Sequence, residues 1–198
     1  ARVNVISVAW FEPTPDPDSV ELALANYFSE SPLDVIPIRI EKPLSIAGAL
    51  YISPQRTPGF ADEATIAVTI RRMVISRRVR DLLPSWGSFF RGVLELEDST
   101  PTASREDLVR DDRFRLLRST LEEFLFTHLE TMAEEQPARL EAIVSWHRYH
   151  FAGAALSEAG LRQLMHKVYR FSTSQGPMLL DEILQKSVAD AIHESDAE

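Results

Sequence analysis

The stretch Ser104-Arg105-Glu106-Asp107 is the part of this sequence best suited to chemistry. Ser104 and Asp107 have the spacing of a capping box, with Asp where Glu is preferred, and this spacing predicts the start of a helix. Arg105 would then lie in the first turn, where a cation opposes the helix dipole. Local conflicts of this kind sometimes mark functional residues. From the residues alone, Arg105 is either a functional arginine or an ordinary surface one.

The densest positive patch of the chain is a run of arginines: Arg71, Arg72, Arg77, Arg78 and Arg80. Such a patch faces a phosphate or a protein, or else it consists of solvated strand ends. On a continuous strand, Arg71 and Arg72 would point to opposite faces of the sheet. These two arginines would therefore not share one role.

Several kinds of site are excluded by residue type and spacing. The chain has no cysteine, which excludes thiolate nucleophiles and zinc–thiolate sites. His147 and His150 are three residues apart on a predicted helix, but no carboxylate completes a motif such as HExxH. We expect surface histidines there and no metal site. The scattered glycines form neither a Walker loop nor a GxGxxG motif, so the chain is expected to hold no nucleotide or other cofactor of its own.

The elements that must position these residues follow from the apolar pattern. A helix is predicted from Ser19 to about Ser29, with Ser19 as its N-cap. Strands are predicted at residues 34–40, 45–53, 65–76 and 93–96. Pro37 lies in the first of them and predicts the edge of a sheet, because proline donates no ladder hydrogen bond.

The second half of the chain has the three- and four-residue spacing of amphipathic helices. A long helix is predicted from its apolar stripe, which comprises Leu117, Leu121, Phe124, Leu125, Leu129 and Met132. Asp111 and Asp112 lie near its start, where carboxylates favour the positive end of the helix dipole. Further helices are predicted at residues 139–151, 158–170 and 178–193. The sequence thus indicates a mixed α/β part over residues 1–135 and a helical part over residues 136–198.

Bulk composition narrows the class of protein. The chain has 198 residues, 44% of them hydrophobic and 26% charged, as in globular proteins. A net charge of −9 argues against a nucleic-acid partner, and no apolar run approaches the length of a membrane span. Because the chain starts at Ala1-Arg2-Val3 without an initiator methionine, we expect it to be an internal piece of a longer protein, with simple loss of the initiator methionine as the alternative.

A collinear set of short motifs resembles the middle domain of the heat-shock protein 90 chaperone family, in a bacterial form, over nearly the whole chain. The motifs are Ala49-Leu50-Tyr51-Ile52, Ile70-Arg71-Arg72-Met73-Val74-Ile75, Leu83-Pro84-Ser85-Trp86, Phe90-Arg91-Gly92-Val93, Ser104-Arg105-Glu106 and Phe171-Ser172-Thr173-Ser174. The resemblance implies a large α/β/α sandwich, then a helical coil and the start of a small α/β/α subdomain. It places the sandwich and its arginine loop in residues 1–135, and the coil and partial subdomain in residues 136–198.

The resemblance also implies a function. In this family, ATP with Mg binds an N-terminal GHKL-type domain, which this chain lacks, and the middle domain lends an arginine to the γ-phosphate. Arg105 has that position, Arg71 is similar to a second nucleotide-contacting arginine, and Val74 and Trp10 are candidates for docking client proteins or another domain. The implied chaperone is cytoplasmic and a homodimer through a domain missing here. The chain alone is expected to be monomeric and inactive as an ATPase.

One departure from the family pattern leaves alternatives open. Val109 occupies a position, four residues after Arg105, where the family usually has a glutamine near the γ-phosphate. A chain of the same fold could therefore be a non-catalytic protein-binding module. The equivalent domain of another GHKL ATPase that acts on DNA is a third possibility, although a basic surface and a phosphate-binding lysine would then be expected.

Overall fold

The computed structural model describes residues 9–12, 15–56, 65–104 and 106–186. These residues form a mixed α/β structure, as predicted. The chain divides into two compact units, Ala1–Leu125 and Phe126–Glu198. No helix among the described residues is long and apolar enough to cross a membrane.

The first unit is built on a five-stranded sheet with the strand order β1-β2-β5-β3-β4. Its strands are β1 (Asp34–Ile40), β2 (Ile46–Ile52), β3 (Thr65–Ile70), β4 (Met73–Ser76) and β5 (Phe90–Leu96). Neighbouring strands are antiparallel except β3 and β5, which run parallel. Pro37 lies on the edge strand β1, as its missing N–H predicts.

Helix α1 (Pro17–Phe28) covers one face of this sheet. Val20 and Leu24 pack there with a short 3-10 turn (Ala9–Phe11) against inward side chains of the sheet such as Tyr51 and Val93. The predicted N-cap was wrong by one turn. Asp16 caps the helix by accepting a hydrogen bond from the N–H of Ser19 at 3.0 Å, because Pro17 takes the first helical position, where no N–H is needed.

The opposite face of the sheet is mainly apolar, with Asp34 as a buried polar residue at the start of β1. Alternation along the strands places on it a set of buried side chains: Ile36, Ile38, Ile46, Leu50, Ile52, Ile66, Val68, Phe90 and Leu94. Within the same unit, the long helix α2 (Asp112–Glu135) begins with a buried stripe of Leu117, Leu121 and Leu125. Its predicted start is confirmed, and the N–H of Phe114 donates to the Asp111 carboxylate at 2.9 Å.

Two glycines allow β2 and β5 to approach closely at the centre of the sheet. Gly48 and Gly92 flank the Ala49–Val93 pair and have φ values of 150° and 152°, which side-chain-bearing residues rarely adopt. A Cβ atom on Gly92 would lie 2.2 Å from the carbonyl oxygen of Ala49, and one on Gly48 would lie 2.2 Å from that of Val93. Neither position accepts a side chain without displacing a neighbouring strand.

The second unit contains helices α3 (Pro137–Trp146), α4 (Arg148–Ser157) and α5 (Ala159–Val168), followed by a hairpin of β6 (Arg170–Thr173) and β7 (Gly176–Leu179). The prediction of one helix over residues 139–151 was wrong, because the chain breaks at His147. The prediction of a helical part after residue 135 was wrong for residues 170–179, which form the hairpin, whereas a helix follows over residues 180–186. Gly176, with a φ of 102°, enters β7 rather than a helix.

Candidate phosphate-contacting edge of the sheet

Arg71 and Arg72 form the tip of the β3–β4 hairpin. The structure corrects the prediction of one continuous strand over residues 65–76, since Ile70 pairs directly with Met73 across a two-residue turn. Both arginines have left-handed backbones, with φ values of 51° and 64°. This geometry suits the twist of a hairpin, but without glycine it costs roughly 1 kcal/mol or more per residue. The strain must be offset by contacts elsewhere.

Glu95 and Phe11 supply those contacts for Arg72. The N–H of Arg72 lies 3.1 Å from both carboxylate oxygens of Glu95, and the Thr69 hydroxyl donates to the same carboxylate at 2.5 Å. The Arg72 guanidinium lies 4.0 Å from the centre of the Phe11 ring, a cation–π contact. Arg71 is exposed and forms no hydrogen bond or ion pair with the described residues. The turn therefore holds one arginine and leaves the other available.

The parallel pairing of β3 and β5 places two arginine-bearing segments at one edge of the sheet. Thr69 lies opposite Glu95, so both strands end together. The Arg71–Arg72 turn follows β3 directly, and the segment that contains Arg105 follows β5. Arg105 itself lies outside the described residues. The carboxyl ends of neighbouring parallel strands are a frequent place for ligands in α/β proteins.

The two sides of the arginine loop (residues 99–109) are paired at its base. Pro101 bridges to Leu108, the Thr102 N–H donates to the carbonyl of Asp107 at 2.8 Å, and the Val109 N–H donates to that of Thr100 at 2.9 Å. The predicted helix start at Ser104 was wrong, because this strand-like pairing leads the chain to Asp111 before the helix begins.

Arg110 fastens this base to the rest of the unit. Its Nη1 and Nη2 lie 3.1 and 3.2 Å from the two Asp107 carboxylate oxygens, a bidentate pair. The same guanidinium donates to the carbonyls of Leu108 (2.6 Å) and Arg80 (2.9 Å) and stacks on Phe114 at 4.2 Å. Arg110 thus restrains the loop at its base, whereas Ser104 and Glu106 are exposed near its tip.

The two predicted docking residues differ in exposure. Trp10 is only 2% exposed and belongs to the core cluster beneath α1, which leaves no free indole surface for docking. Val74 is half-buried on the edge strand β4, next to Met73, which is 56% exposed. Val109 is 40% exposed at the base of the loop.

The prediction of surface histidines was wrong for His147 and His150, which are 2% and 4% exposed. The kink between α3 and α4 turns both rings inward, and the His147 carbonyl accepts from the N–H of His150 at 3.0 Å. No group of histidines and carboxylates that could hold a metal ion occurs in the described parts of the chain.

Sequence reasoning missed a buried polar cluster on the α1 side of the sheet. The Tyr51 hydroxyl donates to Glu30 at 2.5 Å, and Arg91 lies 3.2 Å from the same oxygen. Burial, and then the hydrogen bond to Glu30, raises the pKa of Tyr51 above its ordinary value. Glu95 and Arg110 were missed too. The alternation of β5 offered a signal for Glu95, since it sends this carboxylate to the same face as Val93.

Comparison with known proteins adds independent evidence. The family model described as "Hsp90 protein" matches residues 23–187. The chaperone protein HtpG of Nitratidesulfovibrio vulgaris is 24% identical over 94% of this chain and 31% of its own length. The mitochondrial TNF receptor-associated protein 1 homolog of Dictyostelium discoideum is 25% identical over 69% of this chain and 20% of its own length. The rat mitochondrial heat shock protein 75 kDa is 26% identical over 63% of this chain and 19% of its own length.

The chain spans a third or less of the length of these relatives. The family model extends over both the β3–β4 hairpin and the arginine loop. On the extent of that match, this chain belongs to the Hsp90 family of chaperones.

Proposed function

We propose that this chain is the middle domain of an ATP-dependent chaperone and supplies Arg105 to the γ-phosphate of ATP bound by a separate N-terminal GHKL domain. The observation that carries the proposal is that β3 and β5 end at the same side of the sheet. The Arg71 turn and the arginine loop both follow these strand ends. A cation at this edge can meet the charge that spreads over phosphate oxygens during transfer. Arg71 contributes a second, weaker contact.

The sequence supports a division of labour between domains. It holds no Walker loop or GxGxxG motif for phosphates, so ATP and Mg are expected in the partner domain of the parent protein. A guanidinium group suits contact with a phosphate bound by another domain, because it is always charged and presents a planar fork of donors to phosphate oxygens. The restrained base of the loop limits the positions that its tip can sample.

Client proteins are the second proposed partner. The edge strand β4 presents Met73 and Val74 beside the arginine turn, and an exposed edge with apolar side chains suits contact with partly folded chains. We assign the parent protein to the cytoplasm as a homodimer, with no nucleic-acid or membrane partner. The docking role of Val74 rests on this surface.

The test is Arg105→Ala in the full-length protein. Turnover at saturating ATP should fall on the order of 10³-fold, as when other arginine fingers are removed, and the Kd for ATP should stay nearly unchanged. Arg118→Ala is the matched control, because Arg118 is exposed on α2 and loses the same charge away from the loop. Equal turnover in both variants would rule out the assignment, and a large rise in Kd for Arg105→Ala alone would indicate a ground-state binding role instead.

A further inference from the structure

The carboxylate of Glu95 is buried at the carboxyl end of β5, where the residue is 5% exposed. Its neighbours donate to it: the Thr69 hydroxyl at 2.5 Å and the Arg72 backbone N–H at 3.1 Å from each oxygen. Among the described residues Glu95 has no ion pair. A buried charge without a counter-ion is stable only where its hydrogen bonds are satisfied. The Glu95 carboxylate and the Arg71–Arg72 turn therefore stabilise each other.

The contact with Arg72 is made through the backbone, which separates it from any role of the Arg72 side chain. The N–H of Arg72 faces Glu95 while both turn residues have left-handed φ values. The Arg72 guanidinium is occupied on the Phe11 ring. Glu95 therefore stabilises the backbone that carries Arg71, and the Arg71 side chain remains exposed beyond the ends of β3 and β5.

We propose that Glu95 is a positioning residue, which holds the strained Arg71–Arg72 turn so that Arg71 faces nucleotide bound by the neighbouring domain. The inference rests on the proposed function, because it needs Arg71 to contact that nucleotide. Glu95 does not touch the phosphate. It acts from beneath the turn, and a carboxylate suits this place because one group accepts from both Thr69 and Arg72.

Turnover of the full-length protein tests the idea through a double-mutant cycle. Arg71→Ala and Glu95→Ala should each lower kcat by roughly 10-fold or more at unchanged Kd for ATP, the effect of losing one charge-assisted hydrogen bond. The double variant should be no slower than Arg71→Ala alone, because Glu95 acts through Arg71. Glu95→Gln keeps an acceptor for the Arg72 N–H and should retain most of the turnover. Glu123→Ala, which removes an exposed carboxylate from α2, is the matched control.

Amide hydrogen exchange in the 198-residue chain supplies a readout that does not depend on activity. The Arg72 amide should exchange at least tenfold faster in Glu95→Ala than in Glu95→Gln, because only the latter keeps the acceptor. If Glu95→Ala does not fold, the comparison of Glu95→Gln with the unchanged chain still decides, since retained protection at Arg72 and retained turnover are both required.

Each other outcome overturns the inference. Multiplying effects of Arg71→Ala and Glu95→Ala would mean that Glu95 supports the core rather than Arg71. Normal turnover in Arg71→Ala, together with a large loss in Arg105→Ala, would remove the positioning role and leave the proposed function standing. Normal turnover in both arginine variants would instead overturn the proposed function itself.

Discussion

Replacing Gly92 with alanine tests the close approach of β2 and β5. The position of β5 in the sheet depends on this approach. The new Cβ atom would lie 2.2 Å from the Ala49 carbonyl oxygen and 2.8 Å from both Cα and Cδ2 of Leu50. Two of these three atoms belong to the backbone of β2, so rotation of one side chain cannot relieve the overlap. The backbone at Gly92 also has a φ of 152°, which alanine rarely adopts.

The expected loss of stability is the sum of two costs, that of the steric overlap and that of the unfavourable backbone conformation. Overpacking a tight interior costs about 1–3 kcal/mol, and an unfavourable backbone conformation costs about 1–3 kcal/mol more. Their sum of about 2–6 kcal/mol approaches the total stability of a small domain, about 5–15 kcal/mol. Gly87→Ala is the control, because its Cβ would lie 3.2 Å from a side-chain atom of Phe90 and its φ is not positive. That variant should stay within about 1 kcal/mol of the parent.

Urea unfolding, followed by tryptophan fluorescence, measures the difference in stability between the two variants. Trp10 and Trp86 are buried in the first unit, whereas Trp146 lies in the second. A Trp146→Phe background therefore makes the signal specific to the unit that contains Gly92. A shift of the unfolding midpoint for Gly92→Ala no larger than that for Gly87→Ala would refute the reasoning.

Two further changes probe the loop and the polar cluster. Arg110→Ala should speed hydrogen exchange of the Thr102 and Val109 amides roughly fivefold, because the exposed bidentate pair of Arg110 with Asp107 contributes up to about 1 kcal/mol. Unchanged exchange would show that the base of the loop stays paired without Arg110. Tyr51→Phe should flatten the loss of stability at alkaline pH, measured by urea unfolding on either side of about pH 10. The raised folded pKa of Tyr51 means that its contribution is complete below the unfolded value and is lost as pH rises towards the folded one. Equal alkaline slopes in the parent protein and the Tyr51→Phe variant would contradict this.

Apolar alternation was sufficient to predict the outer part of the sheet. β1 and β2 match the predicted segments within one residue at each end, because apolar residues alternate along β1 and run through β2, and turn residues lie on both sides of each strand. The long helix α2 was equally readable from its repeat of leucines. These elements are specified by residues that lie within them.

The β3–β4 hairpin could not be predicted in this way. Residues 65–76 have strand-forming character throughout, and the turn itself carries no glycine or asparagine. What stabilises the turn is Glu95, which is 23 residues further along the chain from Arg72. A partner at that separation leaves no local pattern in the sequence, so the arginine turn became visible only when the strands were paired.

The function was suggested by motifs rather than by periodicity. The Ser104-Arg105-Glu106 and Arg71-Arg72 motifs were recognised as short sequences, but the placement of their segments at one end of the sheet depends on the parallel pairing of β3 with β5. Arg110 and Glu95, which restrain the two segments, have no motif of their own. The supporting residues were therefore missed although the phosphate-facing candidates were named.

The parallel pairing of β3 and β5 also has a consequence for the folding of the newly synthesised chain. β5 joins the sheet between β2 and β3, so neither arginine-bearing segment reaches its place until strands far apart in the chain have met. Non-local pairing of this kind is slow compared with the formation of helices. A nascent or heat-damaged copy that lacks the ladder would carry both arginines but present them separately. Assembly of the central strands therefore precedes the placement of both segments at the same end of the sheet.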